Sequence, residues 1–138
     1  MSLFKAFEIA GSSLSALSVR LNVTASNLAN AESVSSSVGG TYRARHPVFS
    51  TLLDDSMDFD PSVVGVRVAG IVESQAPLRV EYQPDHPMAD KDGNIYRPNV
   101  YLAEEMANMI SSSRSYQSNV EVINASKQMA LRTLSLGD

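Results

Sequence analysis

Residues 1–31 read MSLFKAFEIAGSSLSALSVRLNVTASNLANA and contain no proline and a single glycine, Gly11. Apolar side chains recur along this stretch in alternating steps of four and three residues, which is the spacing of a coiled-coil seam. The seam positions are Leu3, Phe7, Ala10, Leu14, Leu17, Leu21 and Leu28, with Thr24 filling the one gap. The pattern predicts one long helix whose apolar stripe needs a partner.

The other end of the chain, residues 99–138, repeats the spacing. Asn99 follows a proline and is predicted to cap a second helix, with Glu104 and Glu105 near the positive end of the helix dipole. The seam positions here are Leu102, Met106, Met109, Tyr116, Val120, Ile123, Ala130 and Leu134, while Ser113 and Lys127 interrupt the apolar run. A second long helix, similar in character to the first, is therefore predicted.

Two seams of similar length indicate that the helices pair. The partner of each is either the other helix, in an antiparallel coiled-coil hairpin, or a helix of a neighbouring copy. Within one chain we expect Leu17 and Leu21 to lie against the second seam between Tyr116 and Ile123.

The first predicted helix carries few charges, namely Lys5, Glu8 and Arg20. Its remaining surface is Ser, Asn, Ala and Thr together with a second apolar set. That set consists of Phe4, Ile9, Val19 and Val23. Small neutral side chains favour a helix that protein touches on several sides, and an ordinary hairpin with a serine-rich surface is the alternative.

Residues 32–98 differ from both ends and are predicted to form a linker followed by a small β-rich element. Residues 33–40 read SVSSSVGG, which is typical of a flexible linker. Residues 63–72 read VVGVRVAGIV, and the alternation within this stretch predicts a strand. A second strand is predicted from Leu78, Val80 and Tyr82. The fold class is thus mainly α, with segments 1–31 and 99–138 as terminal helices around the β-rich middle.

No motif points to catalysis, a metal or a cofactor. The stretch from Asp90 to Ile95 resembles the opening of a calcium-binding loop, but Tyr101 stands where that loop needs a bidentate glutamate. A turn at Asp92-Gly93 joining short strands is the favoured interpretation. His46 and His86 each precede a proline and lack a second ligand at metal spacing, so they are predicted to lie in loops. Four aspartates form an acidic cluster that is predicted to be a solvated loop: Asp54, Asp55, Asp58 and Asp60.

The composition narrows the class of protein further. A net charge of −4 and a pI of about 5.1 provide no basic surface for nucleic acid. The absence of cysteine removes disulfides and thiolate chemistry. The start of the chain has no apolar run of the length that a cleaved secretory signal requires, so we expect none.

Several motifs near the two ends resemble those of the flagellar rod and hook axial protein family. The first is the Asn27-Leu28-Ala29-Asn30 ending of the N-terminal helix. Others are Gly40-Thr41-Tyr42-Arg43 in the middle, then Pro98-Asn99-Val100, Ser113-Arg114-Ser115-Tyr116 and Asn119-Val120-Glu121-Val122. The closing residues 127–137 resemble the ending of the family members found in the proximal rod. The short segment between the two predicted helices also favours those members.

This resemblance implies a non-enzymatic subunit that polymerises through both terminal helices around a central channel. It implies a place in the basal-body rod, crossing the periplasm, and export by the flagellar type III apparatus without a cleaved signal. The implied partners are other proximal and distal rod proteins, the MS ring with its adaptor, the export apparatus and further copies in a helical assembly. No nucleic acid or small-molecule substrate is implied.

The residues expected to carry packing and assembly are those of the two seams, together with Asn27 and Asn30. The asparagines are expected either to end the first helix in left-handed geometry or to bond a neighbouring subunit. Two other classes of protein stay open on the residues alone. One is a cytoplasmic coiled-coil adaptor or export chaperone, and the weaker one is a hydrolase that uses the acidic loop.

Overall fold

The structure is a computed structural model that describes residues 3–52 and 65–135 of the chain. Two long helices enclose four strands in sequence. The elements are α1 (Leu3–Asn30), β1 (Arg45–Leu52), β2 (Gly65–Glu73), β3 (Arg79–Tyr82), β4 (Asn94–Arg97) and α2 (Leu102–Ser135). The predicted architecture of two terminal helices around a small β-rich middle is confirmed. Neither helix is long and apolar enough to cross a membrane, as judged on the described residues.

The two helices contact each other in antiparallel orientation. The guanidinium Nη2 of Arg20 donates a hydrogen bond to Asn108 Oδ1 at 3.3 Å. At the far end, Phe7 of α1 and Leu134 of α2 line the same cleft. Because Asn108 lies roughly two turns before Tyr116, the expected register of Leu21 against the stretch from Tyr116 to Ile123 is wrong.

The β1–β2 hairpin lies along α1. Its strands are antiparallel, with a bulge between Val48 and Phe49. At its base Asn27 bonds the backbone of Arg45, and farther along the N–H of Val66 donates to Ser12 Oγ at 3.2 Å. The hairpin therefore runs back along the helix towards its N-terminus.

This hairpin explains two members of the second apolar set on α1. Val19 and Val23 line a groove between α1 and β2, together with Ile71, and Val23 is buried. The small neutral surface of α1 was expected to meet protein on several sides. Within this chain, α2 covers one side of the helix and the hairpin covers another.

The strand predictions were right for two of the four strands. The strand predicted over residues 63–72 matches β2, and its first two residues lie outside the described residues. The alternation ending at Tyr82 predicted β3. β1 was missed because Pro47 and two basic residues at its start hide the alternation. The predicted turn is confirmed, since β3 and β4 pair and Gly93 adopts a φ of 80°.

A small core joins the inner ends of both helices. Ala31, Ala44 and Val100 are buried together, and Tyr42 packs against them. Arg79 reinforces the joint because its guanidinium donates to the carbonyls of Ala31 and Pro98, each at 3.2 Å.

The segment predicted to be a flexible linker is a hydrogen-bonded loop in the structure. Ser35 exchanges two backbone hydrogen bonds with Tyr96, at 2.9 and 3.0 Å. The carbonyl of Ser37 accepts from Thr41 Oγ1 at 2.7 Å, and Ser37 Oγ accepts from the N–H of Gly40. The serine and threonine hydroxyls thus bond this loop internally, while Ser35 holds it beside β4.

Candidate assembly surface

Large apolar side chains are exposed along both helices. On α1 they are Phe4 and Phe7, and on α2 they are Leu102, Met106, Ile110, Tyr116, Val122, Met129, Leu131 and Leu134. Phe4 is the extreme case, with 85% of its surface exposed. Apolar exposure of this extent on a polar-rimmed surface is typical of protein–protein contacts.

Four of these exposed residues, Phe4, Phe7, Leu131 and Leu134, meet where the start of α1 lies beside the end of α2. There an apolar cleft of about 720 Å³ opens between the start of α1 and the end of α2. Its walls are Leu3, Phe4, Phe7, Ala130, Leu131 and Leu134, with Glu8, Ser126, Lys127 and Thr133 also lining it. The sequence placed Leu3, Phe7 and Leu134 on the seams, and the structure brings these three together here.

The remaining seam residues are distributed between contact and solvent. Half-buried positions are Leu14, Leu17, Leu21, Leu28, Met109, Val120 and Ile123. Exposed positions are Leu102, Met106 and Tyr116. The buried positions of the helices are mostly small or polar instead: Ala10, Ala16, Val23, Thr24 and Asn27 on α1, and Glu105, Ser112 and Ser126 on α2. Within the single chain the large seam residues are thus at most half-buried, and their role in packing and assembly stays a prediction.

Ser112 marks a weak point in the helix pair. Its hydroxyl is buried and lacks a hydrogen-bond partner within the described part of the chain. A buried hydroxyl without a partner costs free energy, on the order of 1–3 kcal/mol. Small side chains and this unsatisfied group make the α1–α2 contact weaker than a close-packed leucine seam.

Asn27, at the last turn of α1, is buried and fully engaged inside its own chain. Its Oδ1 accepts hydrogen bonds from the Tyr42 hydroxyl at 2.8 Å and from the N–H of Arg45 at 2.9 Å. Its Nδ2 donates to the carbonyl of Arg45 at 2.8 Å. The side chain therefore pairs with β1 much as a neighbouring strand would.

Asn30 has a different and local role. Its Nδ2 donates to the carbonyl of Ser26, one turn back, at 2.8 Å. Among the described residues the only positive φ belongs to Gly93, so neither asparagine ends the helix in left-handed geometry. The left-handed alternative is therefore wrong for both residues, and the other alternative, a bond to a neighbouring subunit, stays a prediction.

Asn99 is not the cap of α2. The helix begins at Leu102, and the N–H of Glu105 bonds the carbonyl of Tyr101 at 3.0 Å. Instead, Asn99 Oδ1 accepts from the N–H of Ala44 at 2.8 Å, and its Nδ2 donates to the carbonyl of Ala76 at 2.9 Å. Sequence reasoning missed this role because the partners lie 55 and 23 residues away.

Asp90 organises the turn between β3 and β4. Its Oδ1 accepts from the N–H groups of Asn94 at 2.8 Å and Asp92 at 2.9 Å, and its Oδ2 accepts from the Tyr96 hydroxyl at 3.0 Å. The carboxylate is used within the turn, which supports the turn interpretation over a calcium loop. Among the described residues, no group of carboxylates and histidines is arranged to hold a metal ion.

These bonds shift the pKa values of both partners. The N–H of Asn94, helped by Tyr96 and Asp92, holds the pKa of Asp90 below its usual value of 3.8, against a smaller opposing effect of burial. The pKa of Tyr96 is raised, chiefly because its hydroxyl donates to Asp90. A depressed carboxyl pKa adds stability that is present above pH 3.8 and is lost as the pH falls through the folded-state pKa.

We therefore expect acid to loosen the β3–β4 turn first. The backbone amide of Asn94, followed by NMR as the pH is lowered, should lose its folded chemical shift when Asp90 takes up a proton. Asp90→Asn should remove this acid step, whereas Asp92→Asn, which changes a residue that joins the turn through its backbone, should keep it. An identical acid transition in Asp90→Asn would contradict this assignment.

The two histidines give no metal or catalytic site within the part of the chain that the structure describes. His86 accepts the N–H of Met88 through Nδ1 at 3.0 Å, which is a local loop bond as predicted. His46 is exposed on β1, so the predicted loop position is wrong for this residue. The acidic cluster from Asp54 to Asp60 lies outside the described residues.

Two family models match the chain, one at each end. The model described as "Flagella basal body rod protein" matches residues 7–34. The model described as "Flagellar basal body rod FlgEFG protein C-terminal" matches residues 91–136. The matches cover most of α1 and the whole of α2, and they define the class as flagellar basal-body rod proteins.

Relatives that match over almost the whole chain narrow the family. The "Flagellar basal-body rod protein FlgC" of Salmonella typhimurium is 50% identical, with 99% of each chain covered. That of Yersinia enterocolitica is also 50% identical with the same coverage, and that of Borreliella burgdorferi is 36% identical over 99% of this chain and 98% of its own. The chain belongs to the FlgC family of flagellar basal-body rod proteins.

Proposed function

We propose that the chain is a structural, non-enzymatic subunit of the flagellar proximal rod. In this role it polymerises through α1 and α2 into the hollow drive shaft of the basal body. The observation that carries the proposal is the apolar surface that both terminal helices leave exposed, in a chain of the FlgC family. We infer that neighbouring subunits cover that surface. The family name indicates that these subunits assemble in the basal-body rod.

The seams acquire their coiled-coil partners in the polymer. Met106 and Leu102 are exposed in the isolated chain although they lie on the predicted seam. The α1–α2 contact buries small side chains, so it leaves room for helices of neighbouring copies to supply the larger apolar partners. Contacts that repeat from one copy to the next without closing produce an open helical filament.

The same proposal names the partners and the location. The chain meets further copies of itself, other proximal and distal rod proteins, and the MS ring with its adaptor. It reaches the rod, which crosses the periplasm, through the flagellar type III export apparatus without a cleaved signal. A weak helix pair in the free subunit suits this route, because marginal helices unfold readily before passage.

The test is complementation in a strain that lacks its own copy of the gene. Swimming and rods in isolated basal bodies should return with the wild-type chain, and equally with Asp58→Asn or His86→Ala. Loss of swimming in these two variants, with the protein still incorporated, would favour the hydrolase. Complete rods in the strain without the gene, with the chain remaining in the cytoplasm, would favour the adaptor or chaperone.

A further inference from the structure

Two asparagines from opposite ends of the chain bind the same short segment, residues 42–45. Asn27, on α1, bonds the Tyr42 hydroxyl and both backbone groups of Arg45 at 2.8–2.9 Å. Asn99, just before α2, accepts the N–H of Ala44 at 2.8 Å. Consecutive backbone N–H groups are thus held by side chains from the N-terminal and the C-terminal part of the molecule.

The same asparagines reach both strands at the base of the β1–β2 hairpin. Arg45 is the first residue of β1, so Asn27 holds the strand where it begins. Asn99 Nδ2 donates to the carbonyl of Ala76, three residues after the end of β2. Between them, the N–H of Ser74 bonds the carbonyl of Ala44 at 2.7 Å. The base of the hairpin is therefore bonded both at the start of β1 and just after the end of β2.

Burial makes these hydrogen bonds specific. Asn27 is 1% exposed and Asn99 is 6% exposed, so water cannot readily replace a lost partner. Tyr42 covers the site further, since its hydroxyl also lies 3.1 Å from Ser26 Oγ and the Arg45 guanidinium sits 5.4 Å from its ring centroid. An isolated two-stranded hairpin is marginal by itself, so its direction depends on its attachments to the rest of the chain. Ser12 of α1 bonds Val66 near its far end, and the two asparagines hold its base.

We propose that Asn27 and Asn99 form a clamp that sets the angle between the β1–β2 hairpin and the terminal helices. The clamp gives the free subunit one shape before it meets a neighbour. A role of the clamp in assembly rests on the proposed function, because each subunit of a polymer must present its contact surfaces in the same arrangement. The clamp itself is a property of the single chain and is tested there.

The test measures the distance between α1 and the hairpin in the full chain. Ser18 and Ala69 are both exposed and the chain has no cysteine of its own, so Ser18→Cys and Ala69→Cys accept spin labels cleanly. The parent should give one narrow distance distribution by pulsed electron paramagnetic resonance. Asn27→Ala and Asn99→Ala should each broaden it.

Two further variants separate the clamp from general damage. Asn27→Asp should also broaden the distribution, because a carboxylate accepts the two bonds but cannot donate to the Arg45 carbonyl. Asn30→Ala is the matched control and should leave the width unchanged, since Asn30 bonds its own helix. Hydrogen exchange should quicken about tenfold at the Arg45 amide in Asn27→Ala and at the Ala44 amide in Asn99→Ala.

If an alanine variant does not fold, Tyr42→Phe replaces it. This change removes one hydrogen bond to Asn27 and keeps the packing of the ring, so a smaller broadening is expected. Unchanged widths of the distance distribution in the folded Asn27→Ala and Asn99→Ala variants would overturn the clamp. Where an alanine variant does not fold, an unchanged width in Tyr42→Phe would overturn it. A broadened monomer whose rods and swimming are normal would leave the clamp in place and count against its use in assembly.

Discussion

Serine in place of Phe4 or Leu131 should abolish rod assembly while the free subunit keeps its stability. Both side chains line the cleft at the ends of the helices, and they are 85% and 56% exposed in the isolated chain. Replacing a side chain that is already in water removes little burial from the fold. In the proposed polymer a neighbouring subunit covers the same side chain, and burying a residue of this size contributes about 1.5–3 kcal/mol. Every copy of the subunit carries the defect, so the loss is repeated at each contact.

The measurement has two parts. Swimming and rod-containing basal bodies are scored in the complemented strain, and urea unfolding is measured on the purified subunits. Val80→Ser is the matched control, because Val80 is 57% exposed but lies on β3, away from both helices. We expect the control to swim and all three proteins to unfold at nearly the same urea concentration. Normal swimming by Phe4→Ser would show that the cleft is not an assembly contact.

The heptad spacing predicted the helices well because a period of 3.5 residues is a local property of the sequence. It predicted their packing poorly, and Val23 shows the reason. This residue lies off the seam yet is buried, because the β1–β2 hairpin covers a second side of α1. A seam assignment assumes one partner for each helix. With two partners in the chain and others proposed in the polymer, several faces of the helix are apolar and no single stripe identifies the contact.

The roles of the asparagines could not be obtained from the pattern. Asn27 and Asn30 look alike in the motif, but one binds β1 and the other binds its own helix. What separates them is the position of Arg45, 18 residues later in the chain. Hydrogen bonds over such distances depend on the path of the chain, and that path was predicted only in outline because β1 was missed.

Alanine in place of Ile95 should be the most destabilising single truncation in the β-rich middle. Ile95 lies on β4 and is completely buried, and among the described residues it is the largest side chain with that degree of burial. Its neighbour Tyr96 pairs with β3 on one side and with Ser35 on the other, so β4 is the centre of this region. Truncating a buried isoleucine to alanine typically costs about 2–5 kcal/mol, partly for lost burial and partly for the cavity left behind.

That loss is large beside the total stability of a small domain, which is roughly 5–15 kcal/mol. We expect urea unfolding of Ile95→Ala to begin at a much lower concentration, and the Tyr96 amide to exchange faster than in the parent. Val80→Ala is the matched control, because Val80 stands opposite Tyr96 but is itself exposed, and its truncation should change stability by no more than about 0.5 kcal/mol. If the two variants unfold alike, the packing around β4 does not hold the middle together. In that case the joint formed by Ala31, Ala44 and Val100 would carry the stability of this region instead.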